Sequence, residues 1–205
     1  MNLIIDVGNT YAKLAVFELD KVLDKEVVET VEILKKIKKI QKKYSKIEKA
    51  ILSTVGKINE NDFKYLKRAF KLEVLNHKTR VPFTNLYATP ETLGIDRIAL
   101  VCASVQQYPD HNVLIIDAGT CITFDFINSK NEYLGGAISP GIEMRYKALH
   151  NQTANLPLLN INVPKDIIGE STKEAMHSGV INGVLREIEG NVNIYKTKYS
   201  DLTVI

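Results

Sequence analysis

The segment Ile4-Ile5-Asp6-Val7-Gly8-Asn9-Thr10 decides the fold, because the segment Ile115-Ile116-Asp117-Ala118-Gly119-Thr120 repeats its pattern. Each copy has an apolar stretch that ends in an aspartate, followed by one small spacer and a turn with glycine and threonine. An alternating apolar stretch follows each copy, at Lys13 to Leu19 and at Ile122 to Ile127, as expected for the returning strand of a hairpin. This internal repeat indicates two related half-molecules.

The order of strands and helices predicts an α/β fold with two domains, residues 1–108 and 109–205, and a cleft between them. Apolar periodicity predicts helices at Asn61 to Phe70, Pro90 to Gln107 and Ser171 to Glu189. In the last of these, Gly179 and Gly183 would permit close packing, either within the chain or at a dimer interface. We expect the apolar side chains of the loop Leu158 to Val163 to cover core.

The repeated turn has residues that suit phosphate binding. Glycine permits close approach of the backbone to a ligand, and exposed N–H groups together with a threonine hydroxyl can hold phosphate oxygens. An aspartate carboxylate is a hard oxygen ligand for Mg²⁺ or for its water shell. Lys13, on the returning strand of the first copy, could reach the same phosphates. Two facing copies could therefore grip a polyphosphate from both sides.

Composition excludes several classes of protein. The 205 residues are 45% hydrophobic and 25% charged, which is typical of a globular chain rather than a disordered one. No stretch approaches the roughly 20 apolar residues needed to cross a bilayer, so we expect no membrane association. Cys102 and Cys121 have no spacing typical of a zinc site or a disulfide framework. A reducing cytoplasm is therefore the expected location.

A basic segment, Lys35 to Lys49, has eight lysines and one acidic residue, Glu48. Ile33, Ile37 and Ile40 recur in it at helical spacing, which predicts an amphipathic helix with the lysines on its outer face. Lysine patches can bind phosphate backbones. The segment has no arginine, and its one aromatic residue, Tyr44, continues the apolar stripe. We therefore favour a solvated helix face over a nucleic-acid contact.

The paired turns resemble the phosphate motifs of the superfamily of acetate and sugar kinases, Hsp70 and actin. Within that superfamily the chain resembles the type III pantothenate kinases. Five segments carry the resemblance: Asp6 to Lys13, Tyr87 to Arg97, Asp117 to Thr120, Gly135 to Gly141 and Gly169 to Thr172. It implies two RNase H-like (actin-like ATPase) domains and transfer of the ATP γ-phosphoryl group to pantothenate. The product would be 4'-phosphopantothenate, in the first step of coenzyme A biosynthesis.

The resemblance also implies roles for individual residues. The ATP phosphates and Mg²⁺ would be held by the first turn, which comprises Asp6, Val7, Gly8, Asn9, Thr10, Tyr11, Ala12 and Lys13, with a further phosphate contact from Thr120. Asp6 would bind Mg²⁺ indirectly, through a phosphate group or a water molecule. Asp117 would bind a monovalent cation, K⁺ or NH₄⁺.

The acceptor site follows from the same resemblance. The pantothenate site would be lined by Tyr87 and by Gly94, Ile95, Asp96 and Arg97. Asp96 would be the general base that accepts the proton of the primary hydroxyl, a role typically worth about 10²–10⁴-fold in rate. Thr172 would contact pantothenate from the neighbouring subunit, because family members are homodimers with shared active sites. From spacing alone, Asp96 and Arg97 could equally be a surface ion pair at a helix start.

The resemblance weakens at the end of the chain. Family members continue past a strand equivalent to Leu202 to Ile205 into a Gly-Gly turn near the adenosine and a last helix. Either the sequence is truncated after Ile205, or nucleotide-base selectivity is expected to be relaxed. Two alternative functions remain at this point: a non-catalytic transcriptional accessory protein of the same fold, and a superfamily kinase acting on another small alcohol.

Overall fold

The computed structural model describes residues 1–8, 10–54 and 58–205. Two compact units make up the chain: the first comprises Met1–Val81 and Thr89–Leu100, and the second Pro82–Ala88 and Val101–Ile205. Each unit contains one five-stranded sheet that mixes parallel and antiparallel strands. The predicted α/β class is confirmed. The boundary between residues 108 and 109 stays a prediction.

The sheet of the first unit has the strand order β3-β2-β1-β4-β5. Its first three strands are antiparallel neighbours, whereas β4 and β5 run parallel to β1. The strands are β1 (Asn2–Val7), β2 (Tyr11–Glu18), β3 (Lys21–Glu29), β4 (Lys49–Thr54) and β5 (Lys71–Val74). Two helices, α1 (Ile33–Lys43) and α2 (Glu60–Ala69), connect β3 to β4 and β4 to β5.

One face of this sheet packs on the two helices. Leu3, Ile5 and Val7 alternate along β1 and join Ile37 of α1 and Leu66 of α2 in the core, each at most 1% exposed. Burial of each such side chain contributes about 1.5–3 kcal/mol. The predicted amphipathic helix is thus confirmed, with its isoleucines inward. The even-numbered residues of β1 lie on the opposite face of the sheet.

The second unit repeats the arrangement of four of these strands, but its fifth strand lies at the opposite edge of the sheet. Its sheet has the order β10-β7-β8-β9-β6, with β7, β8 and β9 antiparallel and β10 parallel to β7. The strands are β6 (Thr84–Asn85), β7 (Asn112–Ala118), β8 (Cys121–Ile127), β9 (Glu132–Pro140) and β10 (Leu202–Val204). Helices α4 (Ile142–Asn151) and α5 (Thr172–Lys198) lie between β9 and β10 in the chain. Helix α5 packs on Leu114, Phe124 and Phe126 through Val184.

The predicted helix from Pro90 to Gln107 is wrong in its first part. A short 3₁₀ turn, Pro90–Thr92, comes first, and helix α3 begins only at Ile95 and ends at Gln107. Leu93 has an extended backbone, with φ −67° and ψ 127°, and separates this turn from α3. Gly94 follows it, and a side chain there would collide with the Asp96 carboxylate. The helix break therefore places Asp96 in the first turn of α3 rather than in a helix interior.

Two further expectations about the second unit need correction. Helix α5 continues to Lys198, past the predicted end at Glu189, and its last turns place Tyr195 and Tyr199 against Phe126. In the loop after α4, Leu159 packs on a core cluster as expected. Leu158, Ile161 and Val163 do not cover core, since each is more than half exposed.

Candidate active site

The first turn places a carboxylate, an ammonium group and a buried hydroxyl on neighbouring strands. Asp6 of β1 has Lys13 of β2 and Ser53 of β4 as its cross-strand partners. Because Ile5 and Val7 face the core, these three side chains lie on the opposite face of the sheet. Ser53 is only 6% exposed, and among the described residues its Oγ has no hydrogen-bond partner. No sequence motif singled out Ser53.

The backbone of this turn is closed by the Gly8 amide, which donates to the Tyr11 carbonyl at 3.0 Å. Thr10 and Tyr11 are exposed, as a phosphate contact requires. Val7 and Ala12 are core residues, at most 1% exposed, so only their backbone could contact a ligand. Asn9, which the sequence also assigns to the phosphate site, lies outside the described residues.

The second turn closes in a similar way, but it is one residue shorter and carries different side chains. The Gly119 amide donates to the Cys121 carbonyl at 2.8 Å, and Thr120 is exposed. Asp117 has Thr123 of β8 as its cross-strand partner, where the first turn has Lys13 opposite Asp6. Within the described parts of the chain, Thr123 Oγ1 is a buried atom with no hydrogen-bond partner. Sequence reasoning missed Thr123, although its place in the repeat matches that of Lys13.

The segment between β9 and α4 packs directly against the backbone of the second turn. The Gly141 amide donates to the Thr120 carbonyl at 3.1 Å, and a side chain at Gly141 would collide with the carbonyls of Gly119 and Thr120. Arg145 holds this segment, because its Nε donates to the Pro140 carbonyl at 2.8 Å. Because residue 141 is a glycine, the backbone there can approach the carbonyls of Gly119 and Thr120 this closely.

Arg145 also joins two polar side chains. Its Nη2 donates to Ser139 Oγ at 2.9 Å and to Glu187 Oε2 of α5 at 2.5 Å. Partial burial opposes ionisation of Glu187, but the hydrogen bonds from Ser139 and Arg145 outweigh it and lower the pKa of that carboxyl group. The pair is therefore charged at neutral pH and anchors the end of β9 to α5.

The Asp96 carboxylate lies at the start of α3 in the first unit. Its Oδ1 accepts a hydrogen bond from the Arg97 amide at 2.9 Å, and the first helical turn is closed by the Ile98 amide donating to the Gly94 carbonyl. Asp96 is half-buried, whereas Arg97 is only 5% exposed. A surface ion pair is therefore the wrong description of Arg97. Ile95 is 8% exposed and can offer a ligand little beyond its backbone.

The predicted residues divide between the two units. Asp6 to Lys13 and Gly94 to Arg97 belong to the first unit, whereas Tyr87, Asp117, Thr120 and Thr172 belong to the second. Thr172 is the first residue of α5 and is exposed. The hydroxyl of Ser171 caps the helix by accepting from the Glu174 amide at 3.3 Å.

An apolar groove runs between α4 and α5. Its volume is about 790 Å³, and its lining includes Leu149, Leu156, Thr172, Met176 and Gly179. Among the described residues, nothing lies within 4 Å of a side chain added at Gly179. The close packing that the sequence allowed within the chain is therefore not made at this glycine.

Residues 1–8, 10–54 and 58–205 contain neither a membrane-spanning helix nor a cluster of metal-ligating side chains. No helix there is sufficiently long and apolar to span a bilayer. Across the same residues, no group of three or more histidine, cysteine, aspartate or glutamate side chains is arranged to hold a metal ion.

The two mixed sheets with matching Asp-Gly turns define the fold class of the actin-like ATPases and sugar kinases. A solved structure assigned as an N-acetylmannosamine kinase from Listeria monocytogenes superposes with a TM-score of 0.52 at 12% identity, covering 99% of this chain and 82% of that one. This similarity concerns the fold alone. A protein from Campylobacter jejuni, assigned to the Baf family of transcriptional activators, gives a TM-score of 0.57 at 27% identity and covers 92% of this chain and 78% of that one.

Sequence comparison defines the family more narrowly. The model of the type III pantothenate kinase family matches residues 2–193. The type III pantothenate kinases of Christiangramia forsetii and Flavobacterium johnsoniae are 48% and 45% identical over the whole chain, which covers 84% of each of them. The chain therefore belongs to the type III pantothenate kinase family and is an ATP-dependent kinase. These relatives do not favour a transcriptional accessory protein or a kinase of another small alcohol.

Proposed function

We propose that this chain transfers the γ-phosphoryl group of ATP to the primary hydroxyl of pantothenate, with Asp96 as the general base. The observation that carries this assignment is the Asp96 turn. Gly94 clears the space above the helix start, so the half-buried carboxylate folds back beside the buried Arg97. A carboxylate held in this way can accept a proton from an alcohol within hydrogen-bond reach.

The first turn supports the phosphate end of the reaction. Lys13 supplies a positive charge in register with Asp6, and the exposed Thr10 supplies a hydroxyl group. Mg²⁺ in kinases is commonly held by one or two carboxylates together with substrate phosphates and water. Asp6, with a Ser53 hydroxyl beside it that has no hydrogen-bond partner among the described residues, fits that donor set. When bound, Mg²⁺ would offset the charge that develops on the transferred phosphoryl group.

The second turn supports the monovalent-cation site. Asp117 offers a carboxylate, and the buried Thr123 Oγ1 in register with it lacks a protein partner among the described residues. A buried hydroxyl without a partner is costly, so a ligand that it could coordinate would relieve that cost. Oxygen donors of these two types suit K⁺ or NH₄⁺. Thr120, exposed beside them, is proposed as a further phosphate contact.

In the chemical step, this chain's own residues position the two substrates and accept the proton. Asp96 accepts the hydroxyl proton as the pantothenate oxygen forms its bond to the γ-phosphorus. The bond from that phosphorus to the β–γ bridging oxygen breaks, and ADP leaves with the electron pair. Tyr87 and the Gly94 to Arg97 turn are proposed to position pantothenate, with the Arg97 guanidinium suited to its carboxylate.

A homodimer with shared active sites is also part of the proposal. The groove between α4 and α5 is mostly apolar, and the exposed Leu158 and Ile161 follow α4 in the chain. Contiguous exposed apolar surface often marks a protein interface. Thr172 lines this groove and is the residue proposed to reach the neighbouring subunit's pantothenate. We place the reaction in the cytoplasm.

The test is a mass-spectrometric assay of the Asp96→Asn variant with pantothenate, ATP and Mg²⁺, in potassium and in sodium. We expect the wild type to add one phosphoryl group in potassium, and the variant to bind ATP but lose about 10²–10⁴-fold in turnover. Asp62→Asn is the matched control, because Asp62 is a half-buried carboxylate in the first turn of α2. Near-normal turnover of Asp96→Asn would remove Asp96 as the base.

A further inference from the structure

The backbone around Tyr87 is fixed by β9 of the second unit. Strand β6 pairs with β9, and after it the Leu86 amide donates to the Tyr133 carbonyl at 3.0 Å. The Tyr87 amide donates to Asn85 Oδ1, also at 3.0 Å. These two hydrogen bonds set the direction in which the half-buried Tyr87 ring leaves the chain.

Gly135 makes room for that ring. It lies next to a register shift in β9 and has a φ of 107°, a backbone conformation that favours glycine. A Cβ atom at this position would lie 3.1 Å from Cδ2 and 3.3 Å from Cε2 of Tyr87. The Tyr87 ring thus lies so close to Gly135 that the Cβ atom of any other residue at this position would crowd it.

Tyr133 contacts the same ring and is itself held tightly. Its ring centroid lies 6.1 Å from that of Tyr87 and 6.0 Å from that of Phe83. The Tyr133 hydroxyl donates to Asp125 Oδ1 at 2.6 Å, and both residues are 0% exposed. A buried carboxylate hydrogen bond of this kind fixes the tyrosine ring along its length.

We propose that Gly135 and Tyr133 are positioning residues for the acceptor site, acting through the Tyr87 ring. Tyr87 is the group that meets the substrate, whereas Gly135 sets how deep its ring lies and Tyr133 sets its tilt. This inference rests on the proposed role of Tyr87 in pantothenate binding. It predicts that the pocket for the acceptor is sensitive to a single methyl group at residue 135, which itself need not touch the substrate.

A double-mutant cycle tests the route through Tyr87. Gly135→Ala, Tyr87→Ala and the double variant are compared with the wild type in KM for pantothenate, KM for ATP and kcat. We expect Gly135→Ala to raise the pantothenate KM about tenfold, because displacement of a positioning group by about 1 Å is costly, while the ATP KM stays unchanged. In the Tyr87→Ala background the same substitution should leave the pantothenate KM unchanged, although it still lowers the melting temperature through backbone strain.

Equal rises in both backgrounds would overturn the inference, because they would show that Gly135 acts through the fold and not through Tyr87. An unchanged pantothenate KM in Gly135→Ala or in Tyr87→Ala would overturn it as well. Gly190→Ala in α5 is the control substitution, since none of the described residues lies within 4 Å of a side chain added there. Tyr133→Phe should shift the same KM in the same direction by a smaller factor.

A second measurement does not depend on activity. The chain has no tryptophan, so Tyr87→Trp introduces a single fluorescent reporter. Adding Gly135→Ala should make this reporter more accessible to acrylamide quenching, and identical quenching would overturn the positioning role. If the wild type does not phosphorylate pantothenate, the proposed function fails, while the quenching experiment still decides how Tyr87 is held.

Discussion

The two Asp-Gly turns close in a similar way, although the second is one residue shorter, and they differ in charge. In each, a glycine amide closes the turn onto the returning strand, at 3.0 Å in the first and 2.8 Å in the second. Opposite Asp6 stands Lys13, so the first turn carries a compensating positive charge. Opposite Asp117 stands Thr123, a neutral hydroxyl. The first turn is therefore suited to anionic phosphates, whereas the second retains a negative charge that attracts a cation.

The largest effect is expected from removal of the charge that distinguishes the first turn. Lys13→Met should lower turnover by about 10²–10³-fold, because one preorganised group that stabilises a developing oxyanion is typically worth that much. The steady-state assay with ATP, Mg²⁺ and pantothenate measures it. Lys21→Met is the control on the neighbouring strand β3. Normal turnover of Lys13→Met would show that the positive charge of Lys13 is not what makes the first turn functionally different from the second.

A smaller effect is expected when the second turn is given the side chain of the first. Thr123→Lys places an ammonium group opposite Asp117, so the rate in sodium should equal the rate in potassium. Thr123→Val removes the oxygen without adding charge, and we expect it to raise the potassium concentration for half-maximal activation about tenfold. Initial rates over a potassium titration decide both cases. A Thr123→Lys enzyme that still responds to potassium would locate the cation elsewhere.

The smallest effect concerns the unpaired hydroxyl beside Asp6. Ser53→Ala loses no protein hydrogen bond among the described residues, so its unfolding free energy should stay within about 1 kcal/mol of the wild type or rise. Its KM for Mg·ATP should rise by about two- to tenfold, the value of one hydrogen bond.

Ser104→Ala is the matched control for this substitution. Ser104 is equally buried, but its Oγ donates to the Val101 carbonyl at 2.9 Å. It should lose stability and leave the KM for Mg·ATP unchanged. A marked loss of stability in Ser53→Ala, with an unchanged KM, would mean that the Ser53 hydroxyl serves the fold alone.

The sequence predicted the parts of the fold that depend on local pattern. The hairpins of both turns follow from alternating apolar residues, and α1 follows from the spacing of Ile33, Ile37 and Ile40. Helix α4 was not predicted, because only Tyr146 in it is buried and its apolar periodicity is weak. The break before α3 was also missed, since it depends on the extended backbone of Leu93, which apolar periodicity does not reveal.

The site was predicted less completely than the fold. Motifs identified Asp6, Asp96 and Asp117 as candidates, and the family comparison agrees with the class of chemistry that they imply. Ser53 and Thr123 stand out only when strand register is known, because their importance comes from the residues opposite them. The exposure of Leu158 could not be read from the sequence, which does not distinguish a core residue from one covered by another chain.

The exposed loop after α4 has a consequence for the life of the protein in the cell. A newly made chain presents Leu158, Ile161 and Val163 to water, and these residues follow in sequence the groove residue Leu156. Until that face is covered, it is a point at which chaperones bind or chains aggregate. If a second copy of the chain covers this apolar face, the fraction of chains that expose it to chaperones or to aggregation falls as expression rises. Scarcity, rather than abundance, would then be the condition under which proteolysis removes this enzyme fastest.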